Sequence, residues 1–383
     1  MRIVLTLVLN AVLLAGMFLA SIFLVNAKDA SLDPKLQALL DKPVEIPAEA
    51  AAGGKFLGAM TDAPADLTGG GPGEPLKVQG FEQNDERGKD SKDRFCSKTS
   101  YYCDEPTYRA RAEKIKDLLA SNRVLVERFD HLLSFPGYGL EVAGADTEEG
   151  GKVAGTSHEL LRLTRLKLLS ITSLIHEGGK ETALREIERI NRFFSLSLKY
   201  PSSEADSMIQ VEALREIREF FFSAAKEHAD LLAFVSNDLR ESFKPSVGYE
   251  EFAQNRLRAE LRLARERLLV SGASRAELAS KQMAAHLPGW AKSVLGTLPL
   301  SSMLLRKNET LNQTYALLEG RMSDPCVASE RECDDSTPVF NAWSPLRNPI
   351  GRSWLQVMQE TGANAPSTYQ RAHHAFASFA EPI

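Results

Sequence analysis

Cys96 and Cys103 stand with six residues between them in CSKTSYYC, and the same spacing recurs in CVASEREC between Cys326 and Cys333. These are the only four cysteines in the chain. Three chemistries suit paired thiols. A structural zinc knuckle takes cysteines about two to four residues apart and completes the set with histidine or further cysteine. Both gaps here are wider, and neither loop contains a histidine. A redox pair is C-x-x-C, which is absent. Disulfides remain, the usual state of cysteines in an oxidising compartment. Cys96–Cys103 and Cys326–Cys333 would each close a short ring, worth roughly 2.5 kcal/mol by the chain-entropy argument. The rival pairing, Cys96–Cys326 with Cys103–Cys333, would tie the two ends of the domain together. Spacing alone does not separate the connectivities.

The other reactive side chains fall in no catalytic or metal-binding order. His158-Glu159 and His176-Glu177 bracket one helix, but H-E-x-x-H needs a second imidazole four residues on. Arg162 and Lys180 stand there instead. Glu127 and His131 are four apart, within mutual reach on a helix, and read as a capping or solvated pair. His373 and His374 are adjacent, so on a helix they point about 100° apart. Asp324, Glu330, Glu332, Asp334 and Asp335 gather near the second cysteine pair without the spacing of a calcium loop. Arg256, Arg258, Arg262, Arg265 and Arg267 alternate with Glu260 and Glu266. They read as a solvated face laced by i,i+4 pairs such as Arg262–Glu266; lipid headgroups or an acidic partner are the other use of such a face. Asn308 and Asn312 each open an Asn-x-Thr glycosylation sequon. No nucleophile elbow, phosphate loop or dinucleotide fingerprint is present. Neither a catalytic residue, a metal nor a cofactor is expected.

The elements that would hold these residues are helical. From Pro106, apolar residues recur at three and four: Ile115, Leu118, Leu119, Leu125, Val126, Phe129, Leu132 and Leu133. That spacing lines one face of a helix, which SFPGYGL ends. After an acidic, Gly-rich loop, Thr156 or Ser157 is placed to cap HELLRLTRLKLLSITSLIHEGG, apolar around most of its circumference and therefore central. Gly178-Gly179 closes it. KETALREIERINRFFSLSLKYP, EADSMIQVEALREIREFFFSAAKEHADLLAFV and YEEFAQNRLRAELRLARERLLVSG read as the next three helices. Shorter ones are expected at 275–286 and 311–322, after Pro349 and after Pro366. No segment alternates with period two, and no repeat of 34–47 residues is found. The fold class is all-α: an irregular stack or bundle of α-hairpins.

The first 92 residues are different. Arg2 precedes an apolar run of 23 residues, Ile3 to Val25, about the length of a membrane span. A transmembrane anchor is the expectation, with a signal peptide cleaved after Ala27 as the alternative. Residues 28–92 are rich in Ala, Pro, Gly and charge, and read as a low-complexity tether with one short helix, DPKLQALLDK. Such a coil would span on the order of 45 Å. Residues 93–383 form the helical domain. An apolar fraction of 43% and a charged fraction of 25% suit a globular chain. A net charge of −5 argues against nucleic acid as a partner.

MLLRKNETLNQTY and, some thirty residues later, NPIGRSWLQVMQ resemble a pattern in uncharacterised helical envelope proteins of Gram-negative bacteria, which also begin with one apolar segment. The resemblance implies an envelope location; with the apolar run, the expectation is an inner-membrane protein, single-pass through residues 3–25, with its bulk in the periplasm, or a secreted or soluble periplasmic one after cleavage at Ala27. It carries no activity. The expected function is a non-catalytic scaffold or protein-interaction module with an envelope protein as partner. The alternatives are a periplasmic hydrolase acting on cell-wall or peptide substrates, and a binder of an apolar ligand between helices.

Overall fold

The computed structural model describes residues 28–42, 45–60, 77–79, 96, 101–139, 148–200, 204–269, 305–322, 327 and 365–379, with scattered positions between 6 and 21. Among the described residues the chain is all-α and has no strand. The helices are α1 (Pro34–Asp41), α2 (Ala48–Ala59), α3 (Glu105–Ser121), α4 (Arg123–Leu132), α5 (Glu148–His176), α6 (Lys180–Ser197) and α7 (Glu204–Glu227). A 3-10 turn over Ala229–Phe234 follows, then α8 (Asn237–Ser242), α9 (Tyr249–Arg267), α10 (Lys307–Met322) and α11 (Ala365–Phe379).

The chain forms two compact units. One comprises Val44–Ala259 and Arg371–Ile383; the other comprises Met1–Pro43 and Glu260–Gln370.

The core of the larger unit is the trio α5, α6 and α7, each packed on the other two, with α2, α3 and α4 against α5. As its all-round apolarity requires, α5 is central: Leu160, Leu163, Leu166, Leu168, Leu169 and Ile171 are wholly buried. Ile187, Ile190 and Phe194 of α6 and Ile217, Phe220 and Phe221 of α7 fill the same core. Helix α5 ends where expected. Gly178 takes φ +87°, and the Gly179 amide donates to the Leu174 carbonyl at 2.7 Å, the left-handed stop that glycine allows.

Three elements depart from expectation. The helix read from Pro106 through Leu133 breaks at Asn122, which is φ −107° and ψ 14°. Helix α5 starts at Glu148, inside the Gly-rich loop. The helix read through Val235 stops at Glu227 and tightens into the 3-10 turn.

The stretch read as a tether is folded in part. Asp33 caps α1, accepting from Lys35 N at 2.7 Å, with Pro34 in the first turn. Helix α2 buries Ala50, Gly53, Gly54 and Leu57, and Val78 is buried in the core of the larger unit. In the smaller unit Leu36 and Leu40 of α1 are buried, as are Leu311, Tyr315, Leu317 and Leu318 of α10.

Most of the 3–25 run lies outside the described residues. Positions 6, 10, 13, 14, 16, 17, 20 and 21 are helical. Among the described residues no helix is long and apolar enough to cross a membrane. The helices expected at 275–286 and after Pro349 also lie outside them.

Candidate functional site

Cys96 and Cys103 are joined by a disulfide, with their Cα atoms 4.5 Å apart. Cys326 and Cys333 lie outside the described residues. The bridge leads directly into the start of α3. Asp104 caps that helix through Thr107 N at 3.0 Å, and Glu227, the last residue of α7, accepts from Glu105 N at 2.8 Å. The bonded loop is therefore pinned to the ends of two helices.

His176, at the C-terminal end of α5, faces this loop. Its Nε2 lies 2.8 Å from the Cys103 carbonyl. Its Nδ1 lies 2.6 Å from Glu105 Oε2, a close contact without hydrogen-bond alignment. Tyr108 stacks on the imidazole at 4.4 Å between centroids and Tyr102 at 5.8 Å, while His228 meets it edge-on at 5.4 Å. A hydrogen bond from Arg109 and the contact with His176 hold the Glu105 carboxyl below the usual carboxylate range. Burial and the charge of Glu227 push the Tyr102 phenol well above its usual range. The groups resemble acid–base machinery, but the His176 side chain is only 1% exposed and rings cover it. In this conformation no substrate reaches it. The cluster works as a latch joining α3, α5 and α7.

The remaining candidate residues disperse. Glu127 pairs with Arg123 at 3.3 Å, while His131 packs edge-on to Phe56, so those two do not act together. His373 meets the Tyr249 ring. Glu177 accepts from the Tyr108 hydroxyl at 3.4 Å. Asp324, Glu330, Glu332, Asp334 and Asp335 lie outside the described residues. Among the described residues no group of three or more His, Cys, Asp or Glu side chains is arranged to hold a metal ion. The crevice lined by Asn191, Ser195, Leu214, Ser242, Phe243, Pro245 and Phe379 leaves no space for a water molecule.

The arginine run of α9 is not simply a solvated face. Arg256 is buried, and Arg262 donates to the carbonyls of Leu40 and Lys42 at the C-terminal end of α1. A cation there satisfies carbonyls that a helix leaves unpaired.

The sequon asparagines carry a second structured site. Asn308 Nδ2 donates to Ala30 O at 2.9 Å, and Asn312 Nδ2 to Ser31 O at 2.8 Å. Asn312 Oδ1 accepts from Asp33 N at 2.8 Å. Asp29 caps α10 across the chain, taking Asn308 N at 2.9 Å and Glu309 N at 3.2 Å. Arg306, also buried, donates to Lys28 O. Residues 28–33 are thus collared by the first turns of α10, and both sequon amides are used in doing it.

Sequence reasoning missed a third site. Asn122, at the break between α3 and α4, gives Nδ2 to Gln79 O at 2.9 Å and takes Gln79 N on Oδ1 at 2.8 Å. Glu159 of α5 takes Val78 N at 2.9 Å, its other oxygen held by Arg162 at 2.7 Å. The only sequence signal was an asparagine in mid-helix, a residue type that favours breaks and local backbone bonds.

No family model, no curated protein and no solved structure matches this chain.

Proposed function

We propose that the chain is a membrane-tethered, non-catalytic scaffold or protein-interaction module of the bacterial envelope, with its bulk in the periplasm and an envelope protein as partner. The observation that carries this reading is at the N-terminus. Leu13, Leu14 and Met17 are helical yet 60%, 65% and 60% exposed. Large apolar side chains on an open helix face are costly in water and favourable in hydrocarbon. The Cys96–Cys103 disulfide suits an oxidising compartment. Several buried charges of the larger unit join helices. Lys167 of α5, for instance, bridges Asp130 of α4 at 2.6 Å and Glu186 of α6 at 2.9 Å.

In vivo crosslinking of the full chain, with mass spectrometry and carbonate extraction of membranes, tests the proposal. The expected result is a carbonate-resistant protein that captures a defined envelope partner. Recovery in the soluble fraction removes the anchor. Carbonate resistance with no specific partner removes the scaffold role.

A further inference from the structure

The segment Lys77–Gln79 is held as a ligand is held. Gln79 offers both its N–H and its C=O to the single amide of Asn122. One residue pairing through both backbone groups is the pattern of a hydrogen-bonded pair in an antiparallel ladder, with a side chain here in place of the partner strand. A carboxamide suits this task because it presents one acceptor and one donor side by side. Val78 N goes to a different element, to Glu159 Oε2, and the Val78 side chain is 7% exposed within the core. Lys77 and Gln79 are exposed. Among the described residues, the hydrogen bonds to Val78 and Gln79 are made to main-chain atoms, and of residues 77–79 only Val78 is buried.

The receptor side is built for the purpose. Asn122 is 2% exposed and its Nδ2 also donates to Leu118 O at 2.8 Å, which fixes the amide plane. Arg162 fixes the Glu159 carboxylate so that Oε2 is left for the segment. A site that reads backbone plus one small apolar side chain accepts any extended segment with a β-branched or similar residue at its centre.

We propose that Asn122, Glu159 and the Val78 pocket form a binding site for an extended peptide segment of a partner protein, occupied in the resting chain by its own Lys77–Gln79. This deepens the interaction-module reading and rests on it. A tethered segment competes at an effective concentration in the millimolar range. The resting chain is therefore closed to weak ligands and opens to one whose flanking contacts outweigh the internal segment.

The test uses the full chain and a fluorescent peptide of residues 74–82, EPLKVQGFE. In one variant the internal ligand is removed by Lys77→Gly, Val78→Ser and Gln79→Gly. In a second, Val78→Ala only weakens it, which covers the case in which the first does not fold. The expected result is saturable binding to both variants, at least about tenfold weaker binding to the unaltered chain, and no binding of a peptide carrying Val78→Asp. Adding Asn122→Ala, or Asn122→Asp to keep the acceptor alone, should weaken binding about tenfold. Folded variants that ignore the peptide at millimolar concentration overturn the proposal, as does binding indifferent to Asn122 and Val78. Neither outcome depends on whether crosslinking finds an envelope partner, so the two readings fail separately.

Discussion

Arg165 and Glu216 join α5 to α7 through three hydrogen bonds, Nε to Oε1 at 3.1 Å, Nε to Oε2 at 3.0 Å and Nη2 to Oε1 at 2.6 Å. The side chains are 16% and 5% exposed, and the guanidinium lies 5.0 Å over the Tyr101 ring beside the disulfide loop. Burial raises the Glu216 pKa despite the attraction of Arg165. The pair therefore specifies helix register more than it adds net stability, because desolvation offsets much of the Coulomb gain. Removing one partner is another matter. Arg165→Met leaves a buried carboxylate without its cation and should cost about 3–5 kcal/mol near neutral pH. With the folded pKa above the unfolded one, the protonated carboxyl is the form the fold favours. The penalty is then absent below the ordinary Glu range and grows as pH rises through the folded pKa. Urea unfolding of Arg165→Met at several pH values should show its deficit shrinking with acid. A deficit constant with pH would contradict this, and Arg165→Met with Glu216→Leu should recover much of the loss at neutral pH.

At the scale of elements, small residues set how closely segments approach. Gly53 of α2 lies against the turn after α4: a Cβ there would stand 2.5 Å from Gly137 O. Nearby, Gly139 N donates to Ala50 O at 3.0 Å. A backbone oxygen cannot swing aside as a side-chain tip can, so Gly53→Ala must push the helix away, at about 1–3 kcal/mol. Gly178 differs. Its φ of +87° is strained for other residues, but a Cβ would meet nothing within 4 Å. Gly178→Ala should therefore cost only the backbone term, about 1 kcal/mol. Denaturant midpoints check the order, and Gly178→Ala as the more damaging change would contradict it. The same two sites show what the sequence could reveal. The paired glycines after α5 were legible because a glycine stop is a local signal. Helix α2 was not, since AEAAAGGKFLGA looks like low complexity until its small residues are seen against the backbone they admit. The Asn122 break was hidden too, because its reason, the segment at Gln79, is 43 residues away. The Cys96–Cys103 bridge was one of the pairings that the sequence left open. The ring cluster on its far side was not, being assembled from three helix ends.

At the scale of the whole molecule, the collar on residues 28–33 changes what the apolar run can be attached to. A flexible tether through residue 92 would let a folded domain stand off a bilayer by on the order of 45 Å. Lys28 is instead bound by Arg306, and Ala30, Ser31 and Asp33 by Asn308 and Asn312. Only Asn26 and Ala27 separate Val25 from Lys28, three chain steps with a reach of at most about 11 Å. With residues 3–25 in a bilayer, the first turn of α10 would sit against the headgroup layer. A donor dye on Lys307→Cys in the full chain, reconstituted in vesicles with acceptor-labelled lipid headgroups, should show efficient energy transfer. Asp29→Ala with Asn308→Ala and Asn312→Ala should release the collar and lower that transfer without detaching the protein from the vesicles. Transfer no greater than a stand-off of about 45 Å allows, in protein that remains vesicle-bound, would mean that the collar does not hold at the membrane. The hydrogen bonds that hold it are individually modest, each about 1 kcal/mol. It is their number over six residues that makes the connection rigid, so single substitutions should shift the transfer less than the triple one.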